Sequence, residues 1–106
     1  MKTYKFTEIY KLQGMLDVAQ IPYEFVDEST DTYTHLHLCV PTCDEHKRIC
    51  SAIQSSGSYG REEDKIEIMG LLTPREYDDD SVKGWLSAEE VFERIKSHYD
   101  CNKLQD

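Results

Sequence analysis

Apolar residues recur along Thr7–Gln20 at spacings of three and four. Ile9, Leu12, Leu16 and Ala19 share one face, and Met15 and Val18 widen it. The pattern predicts a helix, with Thr7 as N-cap behind Phe6. Pro22 sets its end, because the residue before a proline is pushed out of the helical region. Gly14 lies inside this helix, costs about 1 kcal/mol against alanine, and is expected to mark close packing against another element. Tyr23–Val26 reads as a short strand, and Ser29-Thr30-Asp31-Thr32 supplies the turn of a hairpin. Tyr33–Val40 alternates: Thr34, Leu36, Leu38 and Val40 fall on one face, and Tyr33, His35, His37 and Cys39 on the other. Pro41 closes that strand, and residues 42–47 form a polar connection.

A third strand is predicted over Arg48–Gln54, with Ile49 and Ile53 facing away from Cys50 and Ala52. Residues 55–64 read as a flexible turn running into acidic residues. Lys65–Leu72 follows as a fourth strand, with Ile66 and Ile68 on one face. Arg75–Asp80 is expected to be an acidic loop, and Val82–Leu86 a short fifth strand. Ser87 and Glu90 form a capping-box signature, opening a helix that buries Val91, Phe92, Ile95 and Tyr99. Strands in sequence with short connections pair as neighbours, and two helices with single apolar stripes belong on one sheet face. The expected fold is therefore α+β: an antiparallel four- or five-stranded sheet with an N-terminal and a C-terminal helix on one face, a two-layer sandwich. Residues 1–101 form the single domain and 102–106 a frayed tail. The sheet face bearing Tyr33, His35, His37 and Cys39 is expected to be partly wet.

Composition narrows the function classes. The 106 residues are 39% apolar and 31% charged, enough for one modest core and against wholesale disorder. No run of ~18 apolar residues is present, so no membrane span is expected. The N-terminus lacks the apolar stretch of a signal peptide, so a cytoplasmic location is expected. Twelve Lys and Arg against twenty-one Asp and Glu give a net charge of −9. That field repels nucleic-acid phosphates and argues against direct nucleic-acid binding; it favours a protein partner with a basic surface. Glu62, Glu63 and Asp64 precede the fourth strand, and Glu76, Asp78, Asp79 and Asp80 follow it. These seven acids are the candidate partner-binding residues, against a reading as solvated loops that serve only solubility.

Cys39, Cys43, Cys50 and Cys101 occur without a CxxC pair or an export signal, so they are expected to be thiols or ligands rather than disulfides. His35, His37 and Cys39 project from one strand face at steps of ~6.5–7 Å. With Cys43 from the following loop they offer four N and S donors for zinc. His46 and Cys50 lie nearby in sequence. A zinc-stabilised structural or interaction domain is accordingly the alternative function; the simpler reading is a polar strand face with small core cysteines. A thiol nucleophile needs an oriented histidine, which sequence cannot show. A metal-nuclease pattern fails, since Met69 stands where a lysine is required after Asp64 and Glu67. No catalytic residue is assigned and enzymatic activity is not expected.

The motifs Gly57-Ser58-Tyr59-Gly60, Ile66–Thr73 and Gly84–Ile95, with the opening Leu12–Phe25, resemble small uncharacterised proteins encoded by phages and prophages of Firmicutes. The resemblance spans most of the chain and carries no catalytic residues. It implies a bacterial cytoplasm and an accessory role through protein–protein binding. The target would be a host or phage protein, for example a basic nucleic-acid-binding protein such as a defence nuclease that it inhibits. A monomer or a homodimer is compatible with it.

Overall fold

The computed structural model describes residues 5–104. The elements run α1 (Glu8–Ala19), β1 (Glu24–Asp27), β2 (His35–Val40), β3 (Cys50–Ser55), a 3-10 turn (Arg61–Glu63), β4 (Ile66–Met69), α2 (Pro74–Asp79), β5 (Val82–Leu86) and α3 (Ala88–Leu104). The five strands form one antiparallel sheet in sequence order, β1 to β5. The fold is the expected α+β arrangement, with the fifth strand present. Helix α3 continues through Leu104, so the expected tail lies partly within that helix and partly outside the described residues.

The β2 alternation decides which face is covered. Leu36, Leu38 and Val40 turn inward with Ala52, Ile66, Ile68 and Leu86, and meet Ile9, Leu12 and Leu16 of α1 and Val91 and Ile95 of α3. Phe92 and Tyr99 are only partly buried at the margin of this core. Among the described residues no helix is long and apolar enough to cross a membrane.

Helix α1 is capped from a distance. Thr7 occupies the N-cap position, but its side chain accepts no helix amide. The Asp64 carboxylate takes the Thr7 and Glu8 amides instead, at 2.8 and 3.2 Å, and also the Thr7 hydroxyl. Fully buried Gln54 accepts the next amide, Ile9 N–H, at 2.9 Å, and donates its Nε2 to Asp64 Oδ1 at 2.8 Å. A Schellman arrangement ends α1: left-handed Gln20 donates to Asp17 O at 3.2 Å, and Ile21 to Leu16 O at 3.0 Å. Glu8 in turn accepts the Ala88 amide at 3.0 Å, so the first turn of α1 also caps α3.

Two expectations are corrected. Residues 75–80 are not a loop: α2 occupies Pro74–Asp79, with a capping box between Thr73 and Glu76 and Pro74 in its first turn. Gly14 marks no close approach, since a Cβ there meets nothing within 4 Å. It lines an open shallow groove with Met15, Val18 and Phe92. Gly14→Ala is therefore expected to stabilise the domain by about 1 kcal/mol through helix propensity alone. A higher urea midpoint with unchanged slope is the predicted readout; a lower midpoint contradicts the open groove.

Candidate functional site

The seven predicted acids divide by what they touch. Asp64 is committed to the α1 cap. Burial pushes its carboxyl up, but the bonds from Thr7, Gln54 and Glu8 outweigh this and hold it below its ordinary value. Glu76 is likewise structural. It forms a bidentate pair with Arg94, with both N···O distances 2.8 Å, and accepts the Thr73 amide at 2.8 Å. The Arg94 bonds, followed by the Thr73 amide, hold Glu76 down at about 2. Glu62 and Glu63 are exposed on the 3-10 turn, with Arg61 3.4 Å from Glu62. Asp78, Asp79 and Asp80 are exposed at the C-terminal end of α2, which has no basic residue in its last turn. The helix dipole disfavours carboxylates there, so these three are not placed for helix stability. The 3-10 turn precedes β4 and α2 follows it, so the acids fall into two groups that bracket this strand.

Beside the α2 acids runs a groove that sequence reading missed. Asp79 and Asp80 line it together with half-exposed Tyr59 and Trp85 and with Lys83 of β5. The groove exists because two backbone segments cross closely. A Cβ on Gly84 would collide with Tyr59, and one on Gly60 would lie 2.7 Å from Lys65 Cβ and 3.2 Å from Trp85 Cα. Gly60 has φ +94 and Trp85 has φ 63, a left-handed conformation uncommon for a bulky residue. The register of β4 against β5 shifts between Ile66 and Ile68, next to this point. The Tyr59 amide is anchored to Glu67 Oε1 at 3.1 Å. The turn before it is braced by buried Ser58, whose hydroxyl accepts Ser55 N–H at 3.0 Å. The signal available in the sequence was the pairing of Gly-Ser-Tyr-Gly with Gly-Trp.

The outer sheet face carries His35, His37 and Cys39, whereas Cys50 pairs with Val40 and lies in the inner core. His35 and His37 are half-buried and Cys39 is fully buried, the small core cysteine of the simpler reading. His37 Nε2 bonds Ser51 Oγ and lies 3.2 Å from Cys39 Sγ. Burial first, then His35 and Arg48, pushes His37 down. Burial, reinforced by Cys43, drives the Cys39 thiol up to about 12, and burial does the same for Cys50. Burial thus disfavours the thiolate form of both. Among the described residues, ligand atoms within 4.8 Å of one another are found in a single group of three: Glu28, His35 and His37. Cys39 and Cys43, expected as zinc ligands, are not members. His46 sits exposed in the loop, its amide bonded to Asp44 at 3.0 Å. The Cys101 side chain lies outside the described residues.

No protein-family model, curated protein or solved structure matches the chain.

Proposed function

We propose that the protein is a binding module for a basic protein segment, received in the groove between Tyr59, Trp85 and the end of α2. The carrying observation is that two exposed aromatic rings and two carboxylates, Asp79 and Asp80, line one groove. Aromatic faces and carboxylates together suit a guanidinium or ammonium side chain, which gains cation–π attraction and charge pairing at once. Trp and Tyr are also the residues that dominate interface energetics. Glu76 lines the groove too, but its charge is matched by Arg94, so Asp79 and Asp80 carry the attraction. The net charge of −9 steers a basic partner toward the molecule and repels free nucleic acid. The motif resemblance to phage proteins points in the same direction. The partner class that fits is a basic nucleic-acid-binding protein whose phosphate site the acids of α2 would occupy.

Trp85 is the chain's single tryptophan, so the groove reports on itself. Titration with an arginine-rich peptide at low salt is expected to change Trp85 fluorescence saturably. Asp79→Lys with Asp80→Lys should weaken that binding by about tenfold or more. Glu62→Lys with Glu63→Lys makes the same charge change elsewhere and should weaken it much less. Equal losses in the two double variants, or a flat fluorescence titration, would refute the groove as the binding site.

A further inference from the structure

We infer that Glu28, His35 and His37 form a binding site for a divalent transition-metal ion of the zinc type, independent of the groove on β4–β5. The antiparallel register builds the site. His35 and His37 are alternate residues of β2 and so project from the same face. The Glu28 amide donates to His35 O at 2.9 Å, which sets Glu28 across from His35 where the chain leaves β1. The other His35 backbone group is held as well, its N–H bonding Ser29 Oγ at 2.9 Å. These two bonds hold the backbone that carries the carboxylate beside the backbone that carries the first imidazole. The second imidazole lies between Val26 on β1 and Ile53 on β3, its paired neighbours in the sheet.

The ligand atoms lie within 4.8 Å of one another. Around a tetrahedral ion with bonds of ~2.0–2.1 Å they would need to be about 3.3 Å apart. Closing that gap takes at most roughly 1.5 Å, within reach of side-chain rotation by exposed Glu28 and the half-buried rings. His37 Nε2 already meets Ser51 Oγ, so coordination through Nδ1 keeps that bond as an outer-shell support, the usual arrangement for a metal-bound imidazole. Two neutral imidazoles and one carboxylate leave the bound ion with one positive charge, which the acidic surroundings favour. They also leave a fourth position for water. Calcium and magnesium prefer all-oxygen sites and are not expected to compete.

The test uses the full chain without a polyhistidine tag. Calorimetric titration with zinc chloride is expected to show one ion per chain. His35→Ala should cost at least about tenfold in affinity. Glu28→Gln, which alters only an exposed side chain, should also weaken binding while leaving far-ultraviolet circular dichroism unchanged. Substitution with cobalt(II) should give a visible spectrum without a thiolate charge-transfer band. A strong thiolate band would assign the ion to Cys39 and Cys43 and overturn the proposal. So would absence of binding, or affinity indifferent to both variants.

Discussion

Gln54→Leu is expected to destabilise the domain by about 2–4 kcal/mol, although leucine nearly matches the volume removed. Gln54 is fully buried at the inner face of β3. Its Oε1 receives the Ile9 amide and its Nε2 binds Asp64 Oδ1 and, at 3.4 Å, Lys65 O. Leucine would fill the space and bond nothing. The Ile9 amide would be orphaned beneath a helix that shields it from water, and Asp64 would lose one of its donors. Each unsatisfied buried polar group costs about 1–3 kcal/mol. Urea unfolding should show a lower midpoint with little change in slope. A loss below about 1 kcal/mol would mean that water or a neighbouring group restores the bonds, and that Gln54 is not the link between β3 and α1.

Glu76→Gln is expected to cost about 1–2 kcal/mol at neutral pH, allowing for partial solvent screening of the Arg94 pair. The cost should depend on pH in a defined direction. The Glu76 carboxyl is held at about 2 against 4.5 for an ordinary glutamate. A group depressed on folding contributes stability above its unfolded value and loses it as pH falls through the folded value. The gap between wild type and variant should therefore be full above pH 4.5 and close progressively toward pH 2. Asp64, also depressed, adds acid sensitivity of the same sign to both proteins. Urea midpoints at a series of pH values measure the gap; a constant offset down to pH 2.5 would show that the charge of Glu76 is not what holds α2 to α3.

Much of the fold was legible because strict alternation and helical spacing are read from short windows. Leu36, Leu38 and Val40 fell inward as their period required, and the Ser87–Glu90 box opened α3 where predicted. Helix α2 was passed over because six residues are too few to display a period, yet Thr73 and Glu76 bear the same capping signature. The acids were harder. Nothing local distinguishes Asp78, which is solvated, from Glu76, whose partner Arg94 lies 18 residues away. Gly14 illustrates the same limit: its cost to the helix is local, but the empty space beside it is tertiary. Glu28 escaped notice as a possible ligand because only the hairpin register brings it across from His35.

The remote cap of α1 also orders events during synthesis. Helix α1 leaves the ribosome ahead of the sheet, and Asp64 stands 57 residues after Thr7. At roughly 5–20 residues per second, several seconds pass before that carboxylate exists. An isolated helix of this length is marginal in water. The nascent α1 segment is therefore expected to stay uncommitted, its apolar stripe open to chaperones, until β3 and the turn before β4 have been translated.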